Sequence, residues 1–305
     1  MRVAVSPLLL TPLCLASLLA CGDSTDQDAA AREASGDGSG LPEGSGSLRC
    51  NGFAELCDRR VNEVSFATAH NAMSNRDARW IAPNQEHGIT RQLEDGVRGF
   101  MLDTYDSPSG ALLCHGSCSL GKQPLSEGLG ELEAFLAGHP DEVIGIIFES
   151  YVSAEKTLEA FEASGLIARV YAHPPGEPWP TLREMVARDE RVIVMTDREG
   201  GAYPWYLDVW DVAWDNPYAA ETVDDFTCAL NRGREGNDLY ILNRFLTNPV
   251  AYPALAEQAN VNPGFIGFAE RCRQESGQQP NWVTVDFYDI GDLLAVVDQL
   301  NGVTR

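Results

Sequence analysis

The sequence predicts a single parallel α/β domain, and three observations carry that reading. From Arg49 onward, apolar runs of strand length alternate with longer stretches of helical periodicity. Several of the short runs are apolar almost without a break, as strands buried on both faces must be. The stretch from Arg49 to Arg305 has the length of one α/β barrel, with no internal repeat and no break in composition.

Strands are expected over 63–69, 97–103, 142–149, 191–196, 208–213, 238–243 and 282–288. Helices are expected over 125–138, 153–164, 181–188, 220–232, 249–259 and 290–301. The 125–138 helix opens on Leu125-Ser126-Glu127 and runs out at Gly138. Ser153 is a natural N-cap, since its hydroxyl can accept from a free N–H of the first turn.

The N-terminus reads as a targeting segment. Arg2 is followed by an apolar stretch from Val3 to Ala20, and then comes Leu18-Leu19-Ala20-Cys21. This resembles the bacterial lipoprotein signal. The expectation is a signal peptide over residues 1–20, lipid on Cys21, and an exported, membrane-anchored lipoprotein of the bacterial cell envelope. The alternative is an ordinary secretory signal cut at a small residue. Pro7 and Pro12 interrupt the apolar stretch, which argues against a membrane span. Residues 21–48 are rich in Gly, Ser, Ala, Asp and Glu and read as a disordered acidic spacer.

A formal net charge of −23 argues against a nucleic-acid partner, whose phosphates it would repel. Contact with an anionic head group must then be local. After an export signal, the six cysteines Cys50, Cys57, Cys114, Cys118, Cys228 and Cys272 read as disulfides. Sequence proximity favours Cys50–Cys57, Cys114–Cys118 and Cys228–Cys272, though other connectivities remain open. No paired Cys-x-x-Cys spacing points to zinc.

Each expected strand ends in polar residues: His70 and Asn71, Asp103 and Asp106, Glu149, Asp197 and Arg198, Asp215 and Asn216, Asn243 and Arg244, and Asp286. In an all-parallel barrel those ends share one face. His70 ends one apolar run and His115 ends another, Ala111–Cys114; two imidazoles facing one phosphate can serve as base and acid in turn, because both titrate near neutral pH. His87, His139 and His173 lie in loop-like surroundings and read as surface residues.

His70-Asn71, the run Gly96–Asp106, Cys114-His115-Gly116 and Val143–Glu149 occur in the order and spacing of the phosphatidylinositol-specific phospholipase C X domain. The chain resembles that family from about Val61 to Val303. The resemblance implies a distorted TIM-like (β/α)8 barrel over residues 49–305. It also implies a phosphodiesterase acting on a phospholipid head group such as phosphatidylinositol. The catalytic residues it implies are His70, in contact with the phosphate and the nucleophile, and His115, the acid for the leaving oxygen. A monomer with a phospholipid or inositol-phosphate substrate is expected.

Asn71, Asp103 and Glu149 match calcium ligands of the calcium-dependent branch, and oxygen donors suit such a hard cation. The position two residues before Asp103, a glutamate in that branch, is Met101. A weak divalent site is therefore expected, Ca2+ first. In a closed barrel the last strand neighbours the first, so Asp286 can reach His70 and fix its tautomer; an N-cap or loop carboxylate is the competing role. Arg198, Arg244 and Lys122 are candidates for phosphate or sugar contacts, and Tyr288 and Trp214 for stacking on a sugar ring. Two other functions fit the same residues. One is a barrel without catalysis that serves as an envelope-tethered binding lipoprotein. The other is a glycerophosphodiesterase or sphingomyelinase-D-like enzyme, whose Glu-x-Asp metal pair Met101 would break.

Overall fold

The described residues form ten strands and eight helices, and the C-termini of the eight parallel strands gather at one rim. The computed structural model describes residues 48–305. The expected signal segment, Cys21 and the expected spacer up to residue 47 lie outside the described residues. The strands are β1 (Phe66–Ala69), β2 (Gly99–Tyr105), β3 (Leu112–Leu113), β4 (Gln123–Pro124), β5 (Ile144–Tyr151), β6 (Val192–Thr196), β7 (Tyr206–Asp208), β8 (Ala213–Asp215), β9 (Leu239–Asn243) and β10 (Trp282–Val285). The helices are α1 (Ile89–Asp95), α2 (Leu125–Gly138), α3 (Ala154–Ser164), α4 (Leu182–Arg188), α5 (Val209–Val212), α6 (Pro253–Ala259), α7 (Gly264–Ser276) and α8 (Leu293–Asn301).

Eight strands pair in the order β7-β6-β5-β2-β1-β10-β9-β8, all parallel, while β3 and β4 add an antiparallel hairpin beside β2. The last strand, β10, lies against the first, β1, with Phe66 opposite Trp282. The sheet curls like a barrel but stays open between β7 and β8, which do not pair. Only the single turn of α5 joins them. Parallel neighbours need a much longer crossover. This corrects the expectation of a closed cylinder and of one strand over 208–213.

Alternation along the strands divides the core into two layers. Phe66, Ile147, Ile193, Met195, Ile241 and Trp282 point into the barrel. Ala67, Ile146, Val194, Tyr240 and Val283 point out against the helices. The interior is tightly filled: a Cβ built on Gly145 of β5 would lie 2.1 Å from the Trp282 ring. Only glycine leaves room for that indole. Phe53 and Leu56, in the loop closed by Cys50–Cys57, join the inner layer.

Most helices fall where periodicity put them. Ser153 caps α3 through Lys156 N–H, and Thr181 with Glu184 forms a capping box on α4. The expected helix over 220–232 is absent. In its place stand a bridge of Ala220 to Leu246, a 3-10 turn at Val223–Asp225 and a return of Asn231 and Arg232 onto β8. Gly233 (φ 84°) makes this possible, since a Cβ there would lie 2.3 Å from Ala213 O. Helices α1 and α7 were not anticipated. The three expected disulfides form.

Candidate active site

Strand β1 ends at the rim with His70, whose N–H donates to Val285 O of β10 at 2.9 Å. The chain then turns through Asn71 in the left-handed region (φ 47°), which asparagine tolerates better than most residues. The His70 ring stacks on Phe245 at 3.9 Å between centroids. Its Nδ1 lies 2.9 Å from Asp286 Oδ1, which also accepts from Asn84 Nδ2 at 2.9 Å. Asp286 is 4% exposed. A carboxylate only accepts, so Nδ1 carries the proton and Nε2 is left toward the cavity.

His115 arrives from a different element. Cys114 N–H bonds to Asp103 O at 3.2 Å, and the Cys114–Cys118 disulfide closes a short loop around the histidine. Gly116 takes the left-handed turn within it (φ 65°). The Asn71 amide Nδ2 then stands 3.2 Å from His70 Nε2 and 3.3 Å from His115 Nε2. One carboxamide thus faces both imidazoles. Burial, and then the nearby His70, pull the His115 imidazole below its ordinary value, while Asp286 and Glu149 oppose the shift.

Both histidines line a cavity of about 460 Å3 at the C-terminal rim. An acidic wall is formed by Asp103 and Glu149, directly opposite each other on β2 and β5, with Asp197 beyond. Burial first, then the charges of Glu149 and Asp197, push Asp103 well above the usual carboxylate range. Burial likewise raises Asp197. The Tyr151 hydroxyl donates to Glu149 Oε1 at 2.6 Å, and that bond leads the causes pushing Tyr151 up to about 12. Met101 occupies the same wall. Among the described residues, no three His, Cys, Asp or Glu side chains converge as a metal-holding group. The donors fit a cation only in part: two adjacent carboxylates and the Asn71 amide, with a thioether where a hard oxygen is needed.

The remaining candidates separate. Arg198 lies at the rim, 4.2 Å over the Tyr151 ring. Arg244 turns away from the cavity. It is 4% exposed, donates from Nε to Ala259 O at 3.0 Å, and packs over Phe226 and Phe268. Burial pulls its guanidinium down to about 10. It is a core residue, because α6 and α7 cover the side of β9 from which it projects. Tyr288 is also buried and donates its hydroxyl to Asp95 Oδ2 at 2.7 Å, because the backbone turn at Phe287 (φ 45°) carries it outward. Lys122 lines a separate hollow with Trp80 and Glu131. Trp214 stacks on Tyr240 at 3.8 Å. His173 is partly buried against Trp179, not a free surface residue. Asn243, expected at a strand end, lines the cavity, and unanticipated lining residues are Tyr105, Trp210, Tyr218, Arg232 and Phe245. Aromatic residues just past strand ends were the available signal for Tyr105, Tyr218 and Phe245. Arg232 had none, being hidden in a helical pattern.

The family model described as PI-PLC X 1 matches residues 56–301. The chain belongs to the PI-PLC X family. A PI-PLC X domain-containing protein of Arabidopsis thaliana is 33% identical over 269 residues, covering 79% of this chain and 62% of that protein. A protein of Arthroderma benhamiae named an uncharacterized secreted protein is 29% identical, covering 86% of this chain and 66% of its own length. The chain therefore spans just under two thirds of each. Both relatives are eukaryotic, and neither bears on a bacterial envelope location. A structure of S. aureus phosphatidylinositol-specific phospholipase C superposes with a TM-score of 0.55 at 14% identity, covering 82% of this PI-PLC X chain and 95% of that one. That likeness is one of fold: parallel strands curled into a TIM-like half-barrel.

Proposed function

We propose that this PI-PLC X protein cleaves a phospholipid head-group phosphodiester in the manner of a phospholipase C, with His70 and His115 as its acid–base pair. One observation carries the reading: the Nε2 atoms of both imidazoles face the same Asn71 amide, at 3.2 and 3.3 Å, within one cavity. A phosphodiester needs its attacking hydroxyl deprotonated and its leaving alkoxide protonated. His70 Nε2, with Nδ1 anchored on Asp286, takes the proton from the attacking hydroxyl. His115 delivers a proton to the diacylglycerol oxygen. Burial disfavours the charged form of His115, and the substrate's own negative charge favours its protonation once bound. The Asn71 N–H groups then donate to a phosphate oxygen.

Asp103, Glu149 and Asn71 would hold a calcium ion weakly. When bound, such an ion supplies neutralising charge for the phosphate oxygens. Calorimetric titration with calcium, with and without an inositol phosphate, tests this; no heat of binding in either case ends it.

Exposed Ile81, Tyr151, Tyr218, Val223, Val250 and Tyr252 support a lipid substrate. All lie at or beyond strand C-termini in the chain, and Tyr151 and Tyr218 line the cavity itself, where exposed apolar side chains can meet a bilayer. Export is supported by the three disulfides. We further propose that Cys21 carries the lipid anchor of an envelope lipoprotein; a Cys21→Ala variant recovered in the soluble fraction, with wild type in the membrane fraction, tests it. The catalytic reading is tested by release of water-soluble phosphate from phosphatidylinositol vesicles. Wild type releases it and His115→Ala does not. Equal release by both overturns the acid role, and no release by wild type favours a binding lipoprotein.

A further inference from the structure

Two buried amides outside the cavity hold the His70–Asp286 pair in place. Asn84 and Gln85 belong to the segment 70–88 that joins β1 to α1. They are 3% and 0% exposed, and neither lines the cavity. Their backbone N–H groups both donate to Ser74 O at 3.0 Å, and Asn84 O accepts from Phe287 N–H at 2.8 Å. The two residues are thereby tied to the chain just past β10. Gln85 Nε2 donates to His70 O at 2.7 Å and to Val285 O at 3.2 Å, and its Oε1 accepts from Tyr288 N–H at 3.1 Å. Asn84 Nδ2 donates to Asp286 Oδ1 at 2.9 Å.

Asp286 Oδ1 takes both the His70 and the Asn84 bond, while Oδ2 has no partner among the described residues. The carboxylate torsion of an aspartate is broad when nothing restrains it. His70 cannot supply that restraint, since it is the group the carboxylate must hold. The Asn84 bond is the one independent hold on the carboxylate plane. An amide that faces a carboxylate presents its nitrogen, because its oxygen would meet another acceptor. The stack on Phe245 fixes the plane of the His70 ring, and the bond to Asp286 fixes its rotation within that plane. The direction of Nε2 into the cavity therefore depends on Asn84 through one intermediate carboxylate.

We propose that Asn84 is a positioning residue for the acid–base chemistry, fixing the carboxylate of Asp286 and thereby the aim of His70 Nε2. Gln85 holds the backbone of both strand ends at the level where the pair forms. This rests on the phospholipase C reading and adds to it a residue outside the substrate cavity.

The test combines kinetics on phosphatidylinositol vesicles with proton NMR of the protein alone. In Asn84→Ala, kcat falls about tenfold while KM changes by less than about twofold. The His70 Nδ1–H resonance, recognised by its loss in His70→Ala, moves upfield and exchanges faster with solvent as its acceptor swings free. Placed in an Asp286→Asn background, Asn84→Ala lowers kcat little further, because the carboxylate it holds is gone. A residue that merely supports packing lowers kcat by the same factor in both backgrounds, and that result overturns the proposal. An Nδ1–H resonance unmoved by Asn84→Ala overturns it as well. Asn84→Ser, whose hydroxyl ends one bond short of Asp286, carries the same measurements should Asn84→Ala fail to fold. If wild type cleaves and Asn84→Ala matches its kcat, the positioning role falls and the phospholipase C reading stands. If wild type cleaves nothing, that reading falls and the Nδ1–H resonance decides the positioning role by itself.

Discussion

His70 and Asp286 stand on adjacent strands, the first and the last of the parallel sheet, and meet at 2.9 Å. Residues far apart in sequence become a hydrogen-bonded pair because β10 registers against β1, with Val285 opposite Ala69. The next residue after each strand, His70 and Asp286, leaves the sheet at the same level. An anionic partner on Nδ1 selects the tautomer that exposes a basic Nε2.

That pairing predicts a kinetic split. His70→Ala and His115→Ala each lower kcat on phosphatidylinositol by about a hundredfold or more. Asp286→Asn, which keeps the shape but offers the wrong tautomer a partner, also lowers kcat and leaves KM nearly unchanged. Michaelis kinetics on mixed micelles check this.

The Cys114–Cys118 disulfide predicts a defect confined to His115. Replacing both cysteines, Cys114→Ala with Cys118→Ser, frees the loop that aims the imidazole. Turnover falls about tenfold to a hundredfold, while the melting temperature moves by only a few degrees, as enzyme assay and calorimetry together would read.

Packing inside the barrel predicts a large effect at Gly145. Even a methyl there meets the Trp282 indole at 2.1 Å. Gly145→Val destabilises by about 3 kcal/mol or prevents folding. The midpoint of urea unfolding gives the value, and Gly145→Val combined with Trp282→Leu recovers part of it.

His173 predicts a pH dependence of stability. Burial holds its imidazole below the ordinary value, against the opposing charges of Asp238 and Glu177. The unfolded chain therefore takes up the proton first as pH falls. The stabilising contribution of neutral His173 is complete above about pH 6.5 and is lost as pH drops through its folded value. His173→Phe keeps the stack on Trp179 (4.0 Å) and removes the proton site. Thermal melts at pH 7.5 and 5 show a smaller drop for the variant than for wild type.

Much of the fold and half of the site were legible in residue order. Val143–Glu149 and Leu239–Asn243 are apolar throughout because both strand faces are buried, and that pattern survives any tertiary detail. Histidines and carboxylates directly after such runs could be assigned to one rim, since parallel strands share an end. Arg244 obeys the same rule and fails, because the first residue beyond a strand points either into the mouth or out under the helices. Periodicity could not assign its face once β9 had ended. The stretch 220–232 misled for another reason: its polar groups are satisfied by Asp215, Thr222 and Asp225 rather than by a helix, and Cys228 is tethered to Cys272.

The sequence by itself determined the parallel α/β class, most strands and most helices, a favoured set of cysteine pairs, and the gathering of His70, Asn71, Asp103 and Glu149 at one end. These follow from local periodicity and from the single direction of parallel strands. Only the tertiary structure decided that the barrel stays open at β7 and β8, that Asn71 stands between the two imidazoles, and that Arg232 rather than Arg244 or Lys122 faces the cavity. Those outcomes depend on loop length and on which face a side chain takes, and both are settled by packing between segments remote in the chain.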